Sequence, residues 1–451
     1  MHYCNFQITF SAILTFSYSV LSAGVGDSYV GQPWLMHHID RQYWNHNSLG
    51  PGDVNGDGFD DYVVIHEGPD VVSIVFHPGD PEAVYSEWKK VIIANGSNVE
   101  YADFGDYDSD GNLDVAYANG EETGEISNLS IIWGPDKGRV MDPEAWKGGG
   151  PLPESIDQGQ YLFLESFDVN ADGGMDIVAG GRMRTEGGYT GLIWFEAPAE
   201  IKDRRNLNKW KRYSIDPDLE SGHGFVFVDI DADGDSDIAV GNADWDTTET
   251  EEGVFWYENP GPSSGKIGQP WKKRVIMRSK QFFAKNQLGV GDLNNDGKVD
   301  LVAQSDNIVF YLQQIDPNNW KTHKIIKPEI TRWVTRPIKL VDIDHDGKLD
   351  IVGMTIHNYG YTPLGKASVF WMQYEGDEPG VDNWITRVIK WSDGFFSPQA
   401  WNGEKWDHMR FVDVDRDGDL DIVGNCEEYY IRDNNNRRTQ VGVVWFENPI
   451  L

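Results

Sequence analysis

The chain has 451 residues, 39% of them hydrophobic and 13% aromatic, which supplies a large packed core and excludes global disorder. A formal net charge of −35 excludes a surface built as a whole for nucleic acid or an anionic membrane. Of the two cysteines, Cys4 falls in the leading segment and Cys426 stands alone, so no internal disulfide framework is expected.

Residues 1–23 form an apolar stretch that closes on small residues and read as a secretory signal peptide, with a secreted or periplasmic destination. No other stretch approaches the ~20 apolar residues of a membrane span. Residues 28–451 are expected to be one domain and a monomer. A Trp-led alternating segment, WLMHHI at Trp34, comes first, followed by the acidic turn DVNGDGFDD at Asp53, a short apolar run and an aromatic strand. The same unit then returns. WKKVII at Trp88 precedes DYDSDGNLD at Asp106, and Trp146, whose following glycines predict an irregular strand, precedes DVNADGGMD at Asp168. WKRYSI at Trp210 leads to DIDADGDSD at Asp229, and WKKRVI at Trp271 to DLNNDGKVD at Asp292. WKTHKI at Trp320 leads to DIDHDGKLD at Asp342, and WITRVI at Trp384 to DVDRDGDLD at Asp413.

Alternating, half-buried patterns with turn residues between them mark strands, and seven repeats of about 60 residues with four strands each predict an all-β, seven-bladed β-propeller of antiparallel blades. The last aromatic strand, VVWFENP, ends the chain with no Trp-led strand after it. The N-terminal strand at Trp34 is therefore expected to be the outermost strand of the last blade, closing the ring and covering edges that would otherwise aggregate.

Each acidic turn offers oxygen ligands at positions 1, 3, 5 and 9, with glycine at position 6 for the bend. The candidate metal ligands are Asp53, Asn55, Asp57 and Asp61; Asp106, Asp108, Asp110 and Asp114; Asp168, Asn170, Asp172 and Asp176; and Asp229, Asp231, Asp233 and Asp237. The series continues with Asp292, Asn294, Asp296 and Asp300; Asp342, Asp344, Asp346 and Asp350; and Asp413, Asp415, Asp417 and Asp421. An all-oxygen, multi-carboxylate set suits Ca2+, up to seven ions in a structural role. Position 12 carries Val64 or Val240 where an EF-hand needs glutamate, which excludes that motif. Metal-free Asx turns are the alternative, and they leave many carboxylates unneutralised.

The repeated DxDxDGxxD turn between strands resembles the FG-GAP/VCBS repeats of integrin-α-like propellers. The Trp-led and WFENP-type strands are similar to the propellers of secreted sugar-acting enzymes, the aldos-2-ulose dehydratases and the lyases that cleave between rhamnose and glucuronate. The resemblance implies calcium, export and a carbohydrate ligand. No catalytic residue carries over from those families by alignment.

Strand phase puts the acidic turns on one face and longer, chemically richer loops on the other. From those loops the candidate catalytic residues are His223, Tyr161, His46, His408, Arg332, Arg336 and Arg182. The same loops hold His66, Tyr101, Lys285, Trp333, Trp406 and Arg410, and also Arg184, Tyr189, His357, Tyr359, Tyr361, Tyr429 and Tyr430. Arginine pairs with a carboxylate and stabilises charge at the adjacent carbon, while His or Tyr exchanges protons. Together these predict a polysaccharide lyase that cleaves next to a uronic acid by β-elimination, the partner being an acidic polysaccharide. The alternative is a non-catalytic carbohydrate-binding or adhesion propeller.

Overall fold

The computed structural model describes residues 31–120, 126–182, 190–219, 222–242, 253–279, 288–332, 335–356, 365–392, 404–427, 431–433 and 436–450, without the side chains of 182, 335–336, 431–433 and 436–440. Residues 1–23, read as a signal peptide, lie outside this set. So do Arg184, Tyr189, Lys285, Trp333, His357, Tyr359, Tyr361, Tyr429 and Tyr430 and the side chains of Arg182 and Arg336.

Seven antiparallel sheets make up the molecule, six of them with four strands taken in chain order from inside to outside. The inner strands are His46–Gly52, Ala102–Gly105, Gln160–Phe167, Phe225–Val228, Gly289–Gly291, Thr335–Val341 and Trp406–Val412. Among the described residues helix is almost absent: one short turn at Ile201–Arg204 and a few 3-10 turns. In the seventh blade the outermost strand is Leu35–Gln42, paired with Asn436–Glu447 from Leu35 opposite Glu447 to Gln42 opposite Arg438. The ring closes with the N-terminal strand, as the repeat phase predicts.

The repeated tryptophans have a clear structural task. Each stands just before or at the start of an outer strand, and six of the seven turn the indole N–H back onto a carbonyl of the preceding turn. Trp88 donates to Val84 O, Trp146 to Val140 O, Trp210 to Arg204 O and Trp271 to Ile267 O. Trp320 donates to Pro317 O and Trp384 to Gly380 O. A backbone amide at the same position also reaches across blades, Trp34 N to Ile389 O and Trp88 N to Ile39 O, each at 2.9 Å. The second blade, where glycines follow Trp146, keeps an outer strand of only two residues, Gly150–Pro151. The core fills the spaces between blades: Trp194, Trp256, Trp406 and Trp445 are all fully buried there.

Candidate functional site

The acidic turns begin with backbone. In all seven, position 6 is a glycine with φ between +82° and +107°, a left-handed conformation that costs other residues dearly. Position 4 is left-handed too, although only the first turn has glycine there: Ser109, Ala171, Ala232, Asn295, His345 and Arg416 carry φ of +54° to +60°. That conformation aims the amides of positions 5 and 6 at the carboxylate of position 1. In every turn the position 6 amide donates to its Oδ2, as from Gly58 to Asp53 at 3.0 Å and from Gly234 to Asp229 at 3.1 Å.

The aspartate at position 9 is the most buried, and it ties two segments together. Asp176 takes the amide of Val169 on Oδ2 at 3.0 Å and that of Ala197 on Oδ1 at 2.8 Å. Asp114, Asp237 and Asp421 repeat the arrangement with Tyr107 and Gly134, Ile230 and Asn259, and Val414 and Asn448. Burial pushes these carboxyls up, Asp61 and Asp237 to about 7 and Asp114, Asp350 and Asp421 to about 8.

Positions 1, 3 and 9 converge. In Asp106, Asp108 and Asp114, in Asp229, Asp231 and Asp237, in Asp342, Asp344 and Asp350, and in Asp413, Asp415 and Asp421, one oxygen from each lies within 4.8 Å of the others. Buried oxygens without a hydrogen-bond partner remain in these turns, among them Asp231 Oδ1, Asp350 Oδ1 and Asp413 Oδ1. Orphaned carboxylate oxygens in an all-oxygen cage fit a hard divalent cation. The turns are not equivalent, because Arg205 pairs with both Asp108 and Asp110 and brings a protein cation to the second turn.

Away from the turns, the inner strands bring together a different set. The residue three before each turn is Gly50, Asp103, Glu165, Val226, Gly289, Lys339 or Arg410 in blade order. Two acids therefore stand on neighbouring blades and two cations on the pair across the ring. Glu165 and Lys339 line one axial cavity of about 310 Å3 with Val226, Phe227, Leu288, Val290 and Leu340. Burial raises Glu165 to about 7, against the attraction of Arg410, and lowers Lys339 to about 8. Asp103 accepts from Ser166 N at 2.9 Å, and burial raises it as well. Gly50 makes the crowding possible, since a Cβ there would sit 2.8 Å from Asp103 Oδ1.

Two residues further up the same strands, Tyr101, Phe163 and His408 form an aromatic layer. The His408 ring lies 5.0 Å from Tyr101, and Tyr101 lies 4.6 Å from Phe163. Arg410 interacts with Tyr101, Glu165 and Asp103, so one guanidinium joins the charged ring to the aromatic layer.

Of the residues singled out in the sequence, His408 belongs to this axial set, with Nε2 3.3 Å from Asn47 Oδ1. Tyr161 is fully buried and its hydroxyl donates to Ser155 O at 3.0 Å, so it packs as core. His46 is fully buried in another cluster, its ring 4.8 Å from that of His66. Arg332 is exposed and gives its Nε–H to Lys327 O at 2.7 Å. His223 is half-buried in the bend before Phe225–Val228. The charged ring was readable only by aligning the seven turns and counting three residues back in each.

The model of the FG-GAP-like repeat matches residues 53–117 and 292–353. No curated protein matches the chain. Among solved structures, a lectin from Agrocybe aegerita that recognises non-reducing terminal N-acetylglucosamine is 13% identical over 77% of this chain and 81% of its own, with a TM-score of 0.45. The BBS1N chain of a complex with ARL6DN is 10% identical over 92% and 96%, with a TM-score of 0.46. A putative gluconolactonase is 8% identical over 94% of both chains, with a TM-score of 0.35. At these scores the likenesses carry no argument, and the architecture rests on the strand order itself.

Proposed function

From the premise that the chain carries FG-GAP-like repeats on a seven-bladed β-propeller, we propose that it is an exported, calcium-braced protein that takes an acidic carbohydrate into its axial site and cleaves beside a uronic acid. The observation that carries this reading is the split ring, with Arg410 and Lys339 facing Asp103 and Glu165 beneath Tyr101 and His408. A cavity of about 310 Å3 is at the lower end of ligand sites, roughly 300–1,000 Å3.

Arg410 and Lys339 would bind the uronate carboxylate and stabilise charge at the adjacent carbon. Asp103 and Glu165 would accept from sugar hydroxyls. In β-elimination a base removes the proton at C5, the electron pair forms the C4–C5 double bond, and the C4–oxygen bond breaks as that oxygen gains a proton. Burial raises Glu165 and lowers Lys339, which brings an acid and a base toward each other's range and suits them to proton transfer. Calcium, held by the acidic turns, would supply positive charge to the blades and takes no part in this step.

The test is to incubate calcium-loaded protein with glucuronate-rich gums and follow the absorbance of the unsaturated uronate. Wild type should form it, and Arg410→Met should lower kcat/KM by about 100-fold while keeping the fold. No unsaturated product and no new reducing ends across a broad panel would sink the lyase reading. Binding without product would favour a carbohydrate-recognition propeller, which the burial of His408 and Tyr101 also suits.

A further inference from the structure

A second cluster lies where the ring closes. Asp40 belongs to the N-terminal strand Leu35–Gln42 that completes the seventh blade, while His46 and His66 belong to the first two strands of blade one. All three side chains are buried, Asp40 at 4% exposure and both histidines at 0%. Asp40 Oδ2 stands 3.8 Å from His46 Nε2 and 3.6 Å from His66 Nε2.

Two features separate this cluster from an ordinary buried hydrogen-bond network. The ring of His46 interacts with the Gln42 backbone, yet neither of its nitrogens, nor His66 Nδ1, makes a hydrogen bond of good geometry, while His66 Nε2 contacts Ser73 Oγ. Buried imidazoles left so unsatisfied are costly unless something else takes their lone pairs. The second feature is spacing. Zinc–ligand bonds of about 2.1 Å place tetrahedral ligands roughly 3.4 Å apart, close to the observed separations.

We propose that Asp40, His46 and His66 bind a first-row divalent metal ion, zinc above all, and that this ion staples the closing strand to blade one. The donor set is nitrogen-rich, unlike the all-oxygen turns, and therefore selects a different metal from theirs. Burial holds both histidines neutral, the form that ligates. The Gln42 amide donates to Asp40 Oδ1 at 2.8 Å, fixing the carboxylate and leaving Oδ2 for the ion. Ser73 Oγ hydrogen-bonds His66 Nε2 at 2.7 Å, a contact the ion would have to displace.

Lys90 is the competitor, its Nζ 2.7 Å from Asp40 Oδ2. Lys90, Asp40, Tyr43 and Glu87 line a groove of about 550 Å3, through which the ammonium would have to leave Asp40 for the ion to bind. In a chain whose described cysteine is single and buried, such a staple does the work a disulfide would do elsewhere.

The experiment dialyses full-length protein against zinc in excess calcium and measures bound zinc per chain. Wild type should retain one zinc that His46→Gln and His66→Gln both lose. X-ray absorption at the zinc edge of wild type should show two imidazoles, a readout that does not depend on either variant folding. Lys90→Met should bind zinc more tightly, because the competing ammonium is gone. Equal zinc in wild type and folded variants, or zinc without imidazole ligands, overturns the proposal.

Discussion

At position 4 of the acidic turns, an L residue adopts a conformation that glycine would adopt freely. Ala232 sits at φ +60° with no side-chain reason for being there, while Arg416 recovers part of the cost by lying over the Phe59 ring at 3.7 Å. Left-handed backbone costs about 1–2 kcal/mol, and glycine gives back part of that through the unfolded chain, roughly 0.4–1 kcal/mol. Ala232→Gly is thus expected to stabilise the calcium-loaded protein by about 0.5–1 kcal/mol, read as a higher urea midpoint. An unchanged or lower midpoint would mean that the conformation carries no strain. The glycine at position 6 was legible in the sequence because it is invariant across seven copies. Position 4 was not, since Gly, Ser, Ala, Asn, His and Arg share no chemistry and only the backbone reveals what they have in common.

Within a blade, the aspartate at position 9 links the acidic turn to the residue after the third strand. Asp176→Ala leaves the buried amides of Val169 and Ala197 unpaired, and should destabilise the fold by about 2–4 kcal/mol, measured by chemical denaturation. The same aspartates also set the pH response. Their folded-state pKa values, about 6 to 8, lie above the ordinary 3.8, so the folded chain holds protons that the unfolded chain has released. In chelator, that stability is complete below about pH 4 and is lost as pH rises through 6 to 8. Excess calcium, proposed to bind the deprotonated cluster, should reverse the trend, so melting temperatures at pH 5 and pH 8.5 change order between the two conditions. The same order in both would mean that protons and calcium do not compete for these turns. The Trp-led strand signal was legible for a related reason: six of the seven indoles make a local hydrogen bond to their own turn, so the residue recurs with the repeat.

Over the whole molecule, the count of blades and the closure by Leu35–Gln42 follow from the phase of the repeat alone. The axial site was harder to read, because a loop residue's number says little about which way it faces. Register shifts between Asn47 and Gly50, Tyr161 and Phe163, Thr335 and Ile338, and Trp406 and His408 interrupt four inner strands and re-aim the side chains above them. Tyr161 thereby goes into the core, while His408 comes to lie beside Tyr101 and above Arg410. On the proposed reading, function and bracing are separated along the axis, acidic turns at one end of each inner strand and charged and aromatic layers further up. The most direct test of that division is the thermal unfolding of wild-type protein with calcium and after thorough chelation. A large fall in melting temperature that added calcium fully restores is the predicted result, and an identical transition in both conditions would contradict it.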